Sequence, residues 1–278
     1  MRTSNSILAH LFVFVSLCAV GAVAQQPPQG PLTPPPKREV KRIPATPRAE
    51  APPMPAEEMI ERFSRNEEAL RRAHGTYSYR RSVRVQEWDA EGNAGGEFQV
   101  AMEVTARPDG RRAEKIAGQP VETLKLTTLA LEDLEELVRV PLFVFTPDQL
   151  PDYEISYIGR QPLDELSTFV FRIAPKQLDR QRRFFEGLIW VDDRDFVIVK
   201  TYGRMASEVE ETGPELPFAL FETYREFVDG RYWFPTFTRS EDIVKLSDGE
   251  GKLRLTVRLT DYKTSAPPSG ENPQPPRP

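Results

Sequence analysis

From Tyr153 to Lys263 the chain runs through short alternating segments, EISYIGR, STFVFRIAP, FEGLIWVD, FVIVKTYGRM, FALFETYREFV, RYWFPTFTRSE and KLRLTVRLTDYK, each bounded by Pro, Gly or Asp. Apolar residues at every second position put one face of a strand in a core and the other in water. No helical stretch separates these segments, so neighbours must pair antiparallel through tight turns. Asp192-Asp193-Arg194-Asp195 and Asp229-Gly230 supply two of those turns, the second being a dipeptide suited to a hairpin. Upstream, Tyr77, Tyr79, Val83 and Val85 alternate with polar residues, AEGNAGG turns the chain, and Phe98, Val100, Met102 and Val104 alternate again. These patterns predict a mainly β domain of about nine to eleven antiparallel strands.

Two stretches have helical spacing instead. In 57–73, Met59, Ile60, Phe63, Ala69 and Leu70 fall near one stripe, with acids early and arginines late, as the helix dipole favours. In 129–140, Leu131, Leu134, Leu137 and Val138 share a face opposite Glu132, Asp133, Glu135 and Glu136, and Pro141 ends the pattern. The run Leu142-Phe143-Val144-Phe145 that follows is too apolar for an open loop.

Proline marks the boundaries. Of 27 prolines, 11 lie in 25–56 and 6 in 266–278, where low apolar content cannot repay ordering. The expected organisation is a signal peptide at 1–24, a Pro-rich disordered linker at 25–56, one domain at 57–264 and a disordered tail at 265–278. The leading segment has Arg2, an apolar run from Ile7 to Val23 and Ala22-Val23-Ala24 before Gln25, the pattern that signal peptidases cut. Export to the periplasm, or secretion, follows.

Chemistry is restricted by what remains after cleavage. Cys18 and His10 leave with the leader, so the mature chain has His74 and no cysteine. Thiol catalysis, disulfide frameworks, zinc fingers and histidine triads are excluded, and no cofactor or metal is expected. The net charge of −5 argues against nucleic-acid partners. His74 is read as a helix C-terminal residue favoured by the dipole, and the 192–195 aspartates as turn residues. Arg81 shares the inward register of Tyr79, Val83 and Val85, so if it is buried it needs an acceptor.

The leader, first helix, long first hairpin and midway helical insertion, with the run Gly187-Leu188-Ile189-Trp190-Val191-Asp192, together resemble the periplasmic lipoprotein-carrier superfamily (LolA/LolB-like, outer-membrane lipoprotein-sorting proteins) over 57–264. The resemblance implies a curved antiparallel half-barrel with helices capping a concave apolar face that holds acyl chains. Residues 129–140 would be its lid. The lining would be Val83, Val85, Phe98, Val100, Met102, Leu134, Leu137, Phe143, Phe145, Phe169, Phe171 and Trp190, with Arg81 holding the lid. The function implied is non-enzymatic binding of a lipid, acyl chain or lipoprotein in the envelope, with a membrane or protein partner. The alternative is an envelope scaffold whose β core is filled by its own side chains and whose tails bind polymer or protein.

Overall fold

The computed structural model describes residues 47–107, 110–125, 145–207, 218, 220–246 and 249–264. One helix opens this region, α1 (Ala56–Gly75), followed by β1 (Tyr77–Trp88), β2 (Ala94–Ala106), β3 (Arg112–Ile116) and β4 (Val121–Glu122). After a 3-10 turn at Leu150–Asp152 come β5 (Tyr153–Leu163), β6 (Leu166–Pro175), β7 (Phe184–Asp192), β8 (Ile198–Ala206), β9 (Leu220–Val228), β10 (Tyr232–Leu246) and β11 (Gly249–Thr264). Among the described residues no helix is long and apolar enough to cross a membrane.

All eleven strands belong to one antiparallel sheet in the order β3-β2-β1-β11-β10-β9-β8-β7-β6-β5, with β4 beside β2. The seven strands from β5 to β11 therefore form a meander in which each pairs with the next. The β1-β2 hairpin closes onto its last member, Val83 lying opposite Val257 of β11 and Val100 of β2.

The helix begins after Pro55, whose carbonyl accepts from the N–H of Glu58 and Met59, and carries Glu57 and Glu58 in its first turn. Its buried face is Met59, Phe63, Ser64, Glu67, Leu70 and His74. Ala69, expected on the stripe, is exposed, and Glu67 takes the place between Phe63 and Leu70.

Residues 47–55, which composition assigns to the tether, reach the sheet. Arg48 makes a two-bond antiparallel bridge to Arg160 of β5, with Arg48 N to Arg160 O at 2.8 Å and the reverse at 3.1 Å. Arg160 in turn pairs with Asp193 in the β7-β8 turn and stands 4.9 Å over the Phe169 ring. The short bridge satisfies backbone groups on a sheet edge that would otherwise invite a foreign strand.

Candidate functional site

The register defines two rows that cross eight strands on one face. The first is Phe171, Ile189, Thr201, Thr223, Thr238, Val257, Val83, Val100, and the second is Ile173, Gly187, Gly203, Phe221, Ser240, Leu255, Val85, Phe98. The first row is apolar at both ends with three threonines in the middle, and the second places Gly187, Gly203 and Ser240 between its apolar ends, with Phe221 among them. Thr201, Thr223, Thr238 and Ser240 are all buried, and the hydroxyls of Thr223 and Thr238 bond each other at 2.9 Å. This strip divides the face into two apolar halves.

One half is a filled core. Met59 and Phe63 of α1 pack on Phe145, Phe169, Phe171, Phe185 and Ile189, with Phe63 edge-on to Phe171 at 5.4 Å. Phe145, Phe169 and Phe171, expected to line a ligand cavity, are part of this helix-to-sheet core and at most 2% exposed. The other half gathers Val83, Val85, Phe98 and Val100 with Leu253, Leu255, Val257 and Leu259. Met102, Leu124 and Tyr262 pack against it, and Phe218 belongs to it. From α1 only His74 reaches it, against Tyr79 and Tyr262 at one end, and Val83, Val85, Phe98, Val100 and the leucines of β11 are all at most 5% exposed. The lining of this half is mainly aliphatic, whereas the half under α1 is mainly aromatic.

Trp190 stands apart from the other expected lining residues. Alternation places it in the row Val170, Trp190, Lys200, Tyr224, Phe237 on the opposite face, where Lys200 Nζ lies 4.5 Å from its ring centroid. Its Nε1 donates to Gln161 Oε1 at 3.2 Å. Leu134, Leu137 and Phe143, and the whole 129–140 stretch, lie outside the described residues.

Arg81 occupies the inward register beside Met102 and Leu259. It donates to Glu114 Oε2 of β3 at 2.5 Å and contacts Met102 Sδ at 3.3 Å. Its side chain is 12% exposed, whereas the fully buried arginine is Arg225 of β9. Arg225 grips Glu67 of α1 bidentately, with Nη2 to Oε2 at 2.8 Å, and donates to the carbonyl of Ile198 at 3.1 Å. The sequence signal for this pair is a carboxylate inside the apolar stripe Met59, Phe63, Leu70. The aspartates at 192–195 act in the turn: Asp192 Oδ2 accepts the N–H groups of Arg194 and Asp195. Among the described residues no cluster of three His, Cys, Asp or Glu could hold a metal.

His74 does not serve as a charged partner of the helix dipole. It is 2% exposed, packed against Tyr79, Phe234 and Tyr262. Arg112 Nη2 sits 2.7 Å from its Nδ1, and a guanidinium only donates, so Nδ1 carries the lone pair and the ring is neutral. Burial first, and Arg112 second, depress its pKa from 6.5 to about 3. On acidification the unfolded chain takes up this proton from pH 6.5 downward while the folded chain refuses it until near pH 3. The neutral ring's contribution is complete above pH 6.5 and shrinks by about 1.4 kcal/mol per pH unit on the way down. His74→Gln, measured by urea unfolding, should therefore lose about 2 kcal/mol less stability than the parent between pH 7.5 and pH 5. Equal losses in the two proteins would contradict a neutral buried His74.

No protein-family model matches the chain, and no curated protein does. Solved structures do. A DUF1329 family protein from Desulfovibrio piger is 12% identical, with 77% of this chain and 95% of that chain covered at a TM-score of 0.40. A LolA superfamily protein from Nitrosomonas europaea is 17% identical, with 77% and 96% covered at 0.31. An outer membrane lipoprotein-sorting protein domain from Vibrio parahaemolyticus is 11% identical, with 77% and 95% covered at 0.33. The chain is thus similar to structures of the superfamily that its sequence resembles, at low identity. These TM-scores all lie below 0.5.

Proposed function

We propose that the chain is an exported, non-enzymatic envelope protein that binds an acyl chain of a lipid or lipoprotein against the β1-β2-β11 half of its sheet. The observation that carries this reading is the division of one sheet face by the Thr201-Thr223-Thr238 strip. The aromatic half is occupied by Met59 and Phe63 of α1, while the half formed by Val83, Val85, Phe98, Val100, Leu253, Leu255 and Leu259 meets that helix only through His74, at its Tyr79 and Tyr262 end. Aliphatic walls suit an acyl chain, since burial returns about 0.8 kcal/mol per CH₂ and asks for no hydrogen bond. Arg81 and Glu114 lie at the β3 margin of this half, where a polar headgroup would remain near water. The signal-like leader supplies the route out of the cytoplasm, and a curved half-barrel is the shape this role asks of the sheet. Phe145, Phe169 and Phe171 serve the fold in this reading, and Trp190 lies on the wrong face for the ligand.

The test is native mass spectrometry and solvent extraction of the full chain purified from its exported form, with titration of a fluorescent fatty acid. Co-purifying acyl lipid near one per chain and saturable probe binding are expected. A ligand-free protein that also fails to bind the probe would leave the self-filled scaffold as the function.

A further inference from the structure

Of the arginines that point to the inward face of the sheet, Arg225 is answered by Glu67 and Arg81 by Glu114. Arg112 of β3, which shares that face through its pairing with Ala106, makes no ion pair among the described residues. Its guanidinium directs three of its five N–H groups to neutral acceptors: the Tyr79 hydroxyl at 2.6 Å, His74 Nδ1 at 2.7 Å and the His74 carbonyl at 3.1 Å. It is half-buried, 5.2 Å from the centroid of the Tyr79 ring. Arg81 holds the next inward position of β1, with Nη2 on Glu114 and with its Nε buried and without a partner. Since His74 is neutral, Glu114 alone balances the two guanidiniums, and the cluster keeps an unanswered positive charge. A half-buried cation in this position has lost solvation and gained only bonds to neutral acceptors, roughly half as strong as bonds to an anion.

The charge sits at one end of the aliphatic half. Tyr79 belongs to that half and Tyr262 packs against it, so Arg112 closes the inward row that runs along β1 through Tyr79, Arg81 and Val83 to Val85. From Tyr79 to Val85 is about 20 Å at 3.3 Å per residue, room for an extended acyl chain. We infer that the ligand of this half is an anionic amphiphile, a lipid whose carboxylate or phosphate headgroup is held by Arg112 and Arg81 while its chain lies toward Val85. The inference rests on the acyl-binding reading above and selects within it. Glu114 is 46% exposed on its side chain, so it can turn to water when the headgroup arrives. An uncharged diacylglyceryl group gains nothing from Arg112, and a cationic headgroup is repelled by it. The arginines therefore favour an acidic lipid over an acylated protein.

The test titrates the full chain with a pyrene-labelled dodecanoic acid and with its methyl ester, at low and moderate salt. The fatty acid should bind at least tenfold tighter than the ester, and salt should narrow the gap by weakening the fatty acid alone. Arg112→Gln should bring the fatty acid down to the ester's affinity and leave the ester unchanged, while Arg112→Lys keeps most of the preference. Stronger displacement of the fatty acid by lysophosphatidylglycerol than by lysophosphatidylcholine would support a phosphate headgroup, and displacement by fatty acids alone a carboxylate. Equal affinity for fatty acid and ester in the parent chain, or a preference that survives in Arg112→Gln, would overturn the inference and leave acyl binding in place. Failure of both probes to bind would overturn the acyl reading and this inference with it. Displacement of the fatty acid by inorganic phosphate at equal concentration would mean a free-anion site and would overturn the amphiphile.

Discussion

Glu67→Ala is expected to cost about 3–5 kcal/mol of unfolding free energy, one of the two largest single-site losses expected in this fold. The side chains of Glu67 and Arg225 are 0% and 1% exposed, so neither charge reaches water. Removing the carboxylate leaves a guanidinium held in the core by β9, which cannot neutralise itself because its proton is never released in proteins. Arg225→Ala leaves the carboxylate instead, which can take a proton, so its loss should be smaller at pH 5 than at pH 7.5. Replacing both at once, as Glu67→Leu with Arg225→Leu, removes both desolvation costs and should restore most of the stability. The pair thus contributes less net stability than either single variant suggests. What it provides is position: a bidentate grip, with a further bond to the Ile198 carbonyl, sets α1 in one register across the sheet. Urea unfolding of the three variants checks this. A loss below about 1 kcal/mol for Glu67→Ala would mean that the carboxylate turns out to solvent and that packing of Met59 and Phe63 alone places the helix.

The same pair shows which parts of the structure were legible in the sequence. Strand positions follow from alternation because a one-residue slip would turn every apolar side chain to water. The β1-β2 hairpin and the strands from Tyr153 onward accordingly match the expectation, and the Asp229-Gly230 turn lies where its dipeptide indicates. β3 and β4 were not legible individually: RAEKI is half polar, and a two-residue strand has no period. Which strands become neighbours is also absent from periodicity. Only the pairing of β11 with β1 joins the last strand to the first and brings Leu253, Leu255 and Leu259 beside Val83 and Val85. Arg81 meets the expectation of an inward arginine with an acceptor, and Arg225 is a second, more deeply buried one that alternation did not single out. Arg81 sits in an inward register, but near the β3 edge it finds Glu114, whereas Arg225 is under the helix. The threonine strip was hidden for a similar reason, since a threonine on a strand is ordinary until three of them align across β8, β9 and β10.

Gly187→Val is expected to cost about 3 kcal/mol, among the larger effects of a single substitution. Gly187 of β7 faces Gly203 of β8 in the register, and a Cβ built on Gly187 would fall 2.2 Å from the Tyr202 carbonyl oxygen and 2.5 Å from Gly203 Cα. From the other side, a Cβ on Gly203 would fall 2.2 Å from the Glu186 carbonyl oxygen and 2.8 Å from Phe185 Cζ. The nearest atoms are mostly backbone, so no rotamer change makes room and the two strands would have to separate. They cannot do so locally, because Phe185 and Ile189 flank the site at 1% and 0% exposure within the α1 core. The run that carries the family resemblance, Gly187 to Asp192, thus holds a backbone contact, an opposite-face tryptophan and a turn-capping carboxylate. It speaks for a way of packing strands and says nothing about what the sheet binds. Gly230→Ala supplies the control: φ is +63° there but nothing lies within 4 Å, so only the left-handed backbone opposes the change, at about 1 kcal/mol. Urea unfolding should place Gly187→Val well below Gly230→Ala in stability. Losses of equal size would show that the strands part easily at Gly203, and that the two facing glycines are not there to let β7 and β8 approach.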